Sequence, residues 1–213
     1  MTYEKLPLRN VLRGKMLRIA ELQDSLITEL VSKFDFVLHG GTAIWRIYKG
    51  KRFSYDIDIY CADTSAIAHH FGKTNAFKMT RSKVTGSGVL YARFEDAGAE
   101  VEINASPYFT KVNPVDGEFR LVGGDSIILK TLAPEELLKE KISAFLDRRK
   151  ARDLYDIFYL MDFADAAEIR GDVKNLARFL NAPPTDFGGI RELILLGKAP
   201  EFETIVRKVK MHA

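Results

Sequence analysis

Between residues 36 and 60 the chain reads FVLHGGTAIWRIYKGKRFSYDIDIY, and this stretch constrains the fold more than any other. An apolar run, Phe36 to Leu38, leads into Gly40-Gly41, and after a short helical segment and a basic hinge the chain alternates acid with isoleucine. A glycine pair directly after a strand lets backbone N–H groups approach an anion closely, and a helix starting near Thr42 adds its positive end. Asp56 and Asp58 are one residue apart, so in a strand both carboxylates lie on one face while Ile57 and Ile59 point the other way. Hard oxygen ligands on a rigid element suit Mg²⁺, which takes a few carboxylates together with substrate phosphates. A glycine pair alone is a turn, and an Asp-x-Asp strand alone is a solvated edge. Together, with 56 − 41 = 15 residues between them, they place a phosphate cradle beside a metal site, the two parts that nucleotide transfer requires.

The rest of the chain supplies a frame for that stretch. Leu17, Ile19, Leu22, Leu26, Ile27, Leu30, Val31 and Phe34 recur at three- and four-residue steps, which predicts an amphipathic helix packed on a sheet. Asp63 to Ser65 offers an N-cap for a short helix through Phe71. Residues 87–104 read as two strands, Val89 to Phe94 and Glu100 to Asn104, joined by an Asp-Ala-Gly turn, with a further strand near Phe119 to Val122. The character changes at residue 131. Pro134 followed by Glu135-Glu136 starts a helix that keeps its apolar period to Asp147, and further helices are predicted at 152–161, 173–181, 187–196 and 200–210. The expectation is an α+β protein: a mixed sheet flanked by helices over residues 1–130, then a helical half over 131–213.

At 213 residues and 46% hydrophobic content the chain can bury a sizeable core. Its 32 basic against 29 acidic residues leave a formal charge of +3, which permits a polyanionic substrate without demanding one. The single cysteine, Cys61, forms no internal disulfide and reads as packing. No secretory leader pattern opens the chain and no apolar run is long enough to span a bilayer, so residence in the cytoplasm is expected, with no membrane partner.

Two strings, HGGTAIWRIYKGKRFSYDIDIY and LAPEELLKEKISAFLDRRKARDLYDIFYL, closely resemble the AbiEii/AbiGii abortive-infection toxin family, nucleotidyltransferases of the DNA polymerase β-like superfamily. The matching positions are Gly40, Gly41 and Thr42; Arg52, Ser54, Asp56 and Asp58; and Lys141, Ala144, Arg148, Arg152, Asp153 and Asp156. The resemblance implies that Gly40, Gly41, Thr42, Arg52 and Ser54 hold phosphate and that Asp56 and Asp58 hold Mg²⁺ or Mn²⁺. A third carboxylate completes such a site from a neighbouring strand. Glu102 is the candidate, as ligand or general base, and Glu100 competes for the role because it lies on the same face. Lys141 and Arg148 are 148 − 141 = 7 residues apart, two helical turns on one face, and would neutralise a triphosphate across a cleft between the two halves. Arg152, Asp153 and Asp156 would orient those cations, and Asp153 is also a candidate nucleotide contact. His39, His69-His70, Trp45 and Tyr155 read as structural.

The resulting expectation is a metal-dependent, pyrophosphate-releasing nucleotidyltransferase that moves NMP from an NTP to a tRNA 3′ end or a protein hydroxyl. Its role would be the toxin of a type IV-like toxin–antitoxin or phage-defence module with a cognate antitoxin. Basic residues at Lys49, Lys51 and Arg52 and from Arg148 to Arg152 favour an RNA acceptor. The alternatives are a nucleotide-binding regulatory module of the same fold without turnover, and a purely structural interaction domain.

Overall fold

The computed structural model describes residues 7–107 and 113–213. The chain forms two compact units: one runs to Lys49 and resumes from Phe53 to Thr131, and the other takes Gly50–Arg52 with Leu132–Ala213.

The first unit is built on α1 (Gly14–Lys33), β1 (Phe36–His39), α2 (Gly40–Arg46), β2 (Ile57–Cys61), α3 (Thr64–Lys73), β3 (Lys78–Val84), β4 (Leu90–Asp96), β5 (Ala99–Ser106), β6 (Val115–Arg120) and β7 (Ser126–Thr131). Its seven strands form one mixed sheet in the order β3-β4-β5-β2-β1-β7-β6. β1 lies antiparallel to β2 and parallel to β7, and β2 runs parallel to β5, so the glycine turn and the acidic strand are central neighbours. Alternation decides which face is covered. Ile57, Ile59 and Cys61 of β2, Leu90, Ala92 and Phe94 of β4, and Val101, Ile103 and Ala105 of β5 are buried on one face. α1 packs on β5 there through the stripe Ile19, Leu22, Leu26, Ile27 and Leu30, and Phe71 of α3 meets Phe94 edge-on. Full burial of such side chains stabilises by about 1.5–3 kcal/mol each. The opposite face carries Asp58, Tyr60, Glu102, Asn104, Tyr91 and Arg93.

Several expected boundaries shift. Asp63 caps α3 by accepting from the Ala66 N–H. The strand expected at 119–122 ends at Arg120, and β3 and β7 had no prediction. β3 lacks the apolar alternation of a half-buried strand because it is the sheet's edge, exposed at every position but Met79.

The second unit contains α4 (Pro134–Arg148), α5 (Ala151–Leu160), α6 (Ala166–Ala177), a 3-10 segment at Phe187–Leu193 and α7 (Phe202–His212). α4 starts at Pro134 with two acids in its first turn and stops at Arg149, whose φ of 52° is left-handed. The next helix starts at once, with the Ala151 N–H donating to Asp186 at 3.0 Å. The helix expected at 173–181 starts earlier, at Ala166, where Asp165 accepts from the Ala167 N–H. Gly171 disfavours a helix there by about 1 kcal/mol relative to alanine, and burial of Ile169, Val173 and Leu176 offsets it. The helix expected at 187–196 is the shorter 3-10 segment, which packs Ile190 against Ala151 and Tyr155.

Candidate active site

One cluster of candidate residues lies within the first unit, around the paired aspartates. β1 and β2 pair His39 with Asp58, which brings the glycine turn level with the second aspartate. Gly40 has φ +71°, and a Cβ placed on it would lie 2.3 Å from Asp58 Oδ2, so only glycine lets the backbone reach that carboxylate. α2 begins at Gly40, two residues before its expected start. Thr42, expected at phosphate, is fully buried, and its hydroxyl donates to the Asp56 carbonyl. Gln23 of α1 donates from Nε2 to the carbonyls of Ser54 and Tyr55, both at 3.0 Å, and so fixes the backbone that presents Asp56. Ser54 is itself buried. His39 and Tyr60 stack on the same face, 3.9 Å apart and nearly parallel at 5°. Gln23 carried no motif that sequence reading recognises; an amide on the buried stripe of an amphipathic helix was the available signal.

β5 supplies the neighbours. The parallel register sets Asp58 opposite Asn104, whose Nδ2 donates to Asp58 Oδ1 at 3.0 Å. Asn104 Oδ1 is buried without a hydrogen-bond partner among the described residues. Glu102 lies two residues before Asn104 on the same face of β5, one position short of the first β2–β5 pair, Ile57 with Ile103, and Glu100 lies further out and exposed. Glu102 Oε1 accepts from Arg93 Nε at 2.9 Å and Nη2 at 2.6 Å. That hydrogen bond and the charge of Glu102, with smaller contributions from Glu100 and Asp56, raise the Arg93 pKa above its ordinary value. Among the described residues no three His, Cys, Asp or Glu side chains gather at metal-binding distance, so the structure does not bring Glu102 together with the aspartate pair. The groups that do meet are the Asp58 carboxylate, the backbone of Gly40 and the amide of Asn104 with its unsatisfied oxygen, with Asp56 two residues before Asp58 in the chain. This hard-oxygen set fits Mg²⁺ or Mn²⁺.

A separate cluster of ion pairs lies within the second unit. Asp156 is 1% exposed and receives Arg52 Nε and Nη2 on its two oxygens, each at 2.8 Å. Lys141 Nζ is 3.0 Å from Asp156 and 3.7 Å from Asp153, and Arg148 holds Asp153 through two bonds of 2.7 Å. Burial works to raise the Asp156 pKa, but the charges of Arg52 and Lys141 outweigh it and hold the carboxyl below its ordinary value. Burial likewise opposes the Arg52 charge, and Asp156 more than restores it. Two of the Arg52 donors expected to grip phosphate are therefore engaged by Asp156. Arg152, expected in the network, is exposed, and its place is taken by Arg52. Three cations surround two carboxylates, an excess of one positive charge. The Arg148 side chain is 42% exposed, so part of that charge faces solvent.

The glycine turn against Asp58 in the first unit and the ordered lysine and arginine of the second are each features expected of the nucleotidyltransferase class, and solved structures share the fold. The chain aligns with MenT4, a nucleotidyltransferase toxin of Mycobacterium tuberculosis, at TM-score 0.67 and 17% identity, covering 100% of this chain and 88% of that one. JHP933 from Helicobacter pylori aligns at TM-score 0.65 and 18% identity over 94% and 91% of the two chains. The antibiotic-resistance factor ANT(2'')-Ia aligns at TM-score 0.52 and 10% identity over 78% and 95%. No curated protein sequence matches the chain. The family model for the nucleotidyl transferase AbiEii toxin, type IV toxin–antitoxin system, matches residues 29–205, and the chain belongs to this family of nucleotidyltransferase toxins.

Proposed function

We propose that this toxin is a divalent-metal-dependent enzyme that transfers a nucleoside monophosphate from an NTP to a hydroxyl acceptor on RNA, with release of pyrophosphate. The acceptor oxygen bonds to the α-phosphorus, the bond from that phosphorus to the bridging oxygen breaks, and the hydroxyl proton passes to Glu102. A bound Mg²⁺ or Mn²⁺ would neutralise charge on the phosphates and on the reacting oxygens. Asp56 and Asp58, with Asn104 beside them, would hold it. Gly40 and Gly41 would offer backbone N–H groups to phosphate, with Gly40 seated against Asp58; Thr42 and Gln23 keep the Asp56 backbone in place, and Lys141 and Arg148 would oppose the triphosphate charge. Asp153 orients both cations. The observation that carries the reading is the contact of Gly40 with Asp58, which only a glycine can make, inside the span that matches the family. The family's type IV toxin–antitoxin description supports an antitoxin as partner, and an NTP substrate suits the cytoplasm. No described helix is long and apolar enough to cross a membrane.

The test incubates the protein with each labelled NTP, Mg²⁺ and total tRNA, with a protein extract as the alternative acceptor. Label is expected on RNA with wild type and not with Asp56→Ala plus Asp58→Ala. No transfer by wild type, or undiminished transfer by the double variant, overturns the reading. The pairing of Glu102 with Arg93 favours one alternative, a nucleotide-binding module without turnover. Calorimetry separates the two: tight NTP·Mg²⁺ binding with no pyrophosphate release supports the module.

A further inference from the structure

We infer that the outer end of the sheet, on the same face as Asp58, is a track for a single-stranded RNA end. The inference follows from the register. Asp58 faces Asn104, Asn104 faces Tyr91, and Tyr91 faces Lys83, so these four side chains form one row across β2, β5, β4 and β3. A parallel row, one pair further along, runs from Glu102 through Arg93 to Arg81. With strands about 4.8 Å apart, Tyr91 lies about 10 Å from Asp58 and Lys83 about 14 Å.

The chemistry of these rows suits a nucleotide chain. Tyr91 is 45% exposed, an aromatic surface flanked by cations and open to a base. Arg81 and Lys83 are exposed and make no ion pair among the described residues. Arg81 sits directly opposite Arg93, a like-charge pairing that costs stability in an antiparallel sheet and that a phosphate between the two would relieve. The acids of this face leave the first row clear: Glu95 pairs with Lys78, Glu102 pairs with Arg93, and Glu100 lies beyond them. Between Asp58 and Lys83 the first row holds only Asn104 and Tyr91. Basic residues on an edge strand also deter edge-to-edge pairing, but that role needs neither an exposed tyrosine on the second strand nor an arginine facing an arginine. A phosphate at Arg93 would compete with Glu102 for the same guanidinium, so an arriving strand would release the carboxylate assigned to the acceptor proton.

The destination of the strand rests on the nucleotidyl-transfer reading; the surface does not, and it is tested without NTP or metal. Fluorescence anisotropy of a short labelled single-stranded RNA is followed for wild type, for Arg81→Glu with Lys83→Glu, for Tyr91→Ala and Tyr91→Phe, and for Arg170→Glu with Lys174→Glu on exposed α6 as a charge-matched control. The track variant should bind at least about 10-fold more weakly, with its slope of log affinity against log salt reduced by about 1.4, two phosphates at about 0.7 each. Tyr91→Ala should weaken binding at least about 5-fold and Tyr91→Phe should not. Arg81→Gln with Lys83→Gln gives the same direction at smaller amplitude should the charge reversal fail to fold. The proposal is overturned by equal losses in the track and control variants, by wild-type affinity in Tyr91→Ala, or by duplex RNA competing as well as single-stranded RNA. Tyr91-dependent RNA binding without transfer in the NTP assay overturns the functional reading and leaves the track standing. Transfer of label to RNA by wild type, with the track variant binding RNA as well as the control variant does, overturns the track alone.

Discussion

Asp156 grips the Arg52 guanidinium through both carboxylate oxygens, joining residues 104 positions apart in the chain and almost wholly shielded from solvent. Removing Asp156 leaves the Arg52 charge buried and uncompensated, at a cost of about 3–5 kcal/mol, and removing Arg52 leaves Asp156 with Lys141 alone, at a cost toward the lower end. Asp156→Ala and Arg52→Ala should each lower the urea midpoint accordingly. Arg52→Lys should recover little, because an ammonium cannot bind both oxygens in the same plane. A change under about 1 kcal/mol in either alanine variant would mean that the pair contributes little to stability.

The same carboxylate gives the fold an acid limit. Its pKa is depressed in the folded protein below the ordinary 3.8, so its contribution is complete above that value and is lost as pH falls through the lower folded value. Denaturation followed from pH 5 down to about pH 2 should show wild type losing stability more steeply than Asp156→Asn, whose amide does not titrate at all.

Gly40 and Gly98 separate two effects of a side chain. Both have positive φ, but a Cβ at Gly98 meets nothing within 4 Å, whereas one at Gly40 meets Asp58 Oδ2 at 2.3 Å. Gly98→Ala should cost about 1 kcal/mol of backbone strain and leave nucleotide transfer intact. Gly40→Ala should carry the same strain and lower kcat at least about 100-fold by displacing the carboxylate. Equal activities would show that the approach of Gly40 to Asp58 is incidental.

Gln23→Leu tests the support behind Asp56. Two carbonyls lose their donor, which costs about 1–3 kcal/mol for each group left buried and unsatisfied. A positioning role predicts a kcat drop of about 10-fold with little change in KM for NTP, because binding groups elsewhere are untouched. A variant with altered stability and normal kcat would reduce Gln23 to a structural brace.

Cys61 is buried on the covered face of β2, and burial pushes its thiol up to about 11. Alkylation at pH 8 should therefore be slow in the native protein and fast in urea, as mass spectrometry would read. Rapid native modification would show that β2 opens readily.

What the sequence disclosed and what it withheld divide along physical lines. Strands β1, β2, β4 and β5, the long first helix, α4 and α5 were legible because half-buried elements print their period on the sequence. Strands β3 and β7 were not, since little of either is buried, and α6 starts before its expected position and runs across Gly171 because its apolar residues are buried on both sides of that glycine. At the site, Asp56 and Asp58 and the cations of α4 could be singled out from spacing and resemblance. Their partners could not: the pairing of Arg52 with Asp156, of Glu102 with Arg93 and of Asn104 with Asp58 depends on register and on contacts between residues far apart in sequence.

The tripeptide Gly50–Arg52 belongs with the helices after residue 131, although the chain on both sides of it belongs to the sheet. Leu195 donates to the Lys51 carbonyl at 2.8 Å, and Arg52 fills the pocket of Asp156. A gene cut at residue 131 would therefore not yield an intact helical half. A fragment of residues 132–213 would carry Asp156 without its arginine, and a chimera that exchanged the helices between relatives would have to bring three residues from the other end of the reading frame. A truncation or fusion that keeps the pair of Arg52 with Asp156 has to retain both stretches of chain.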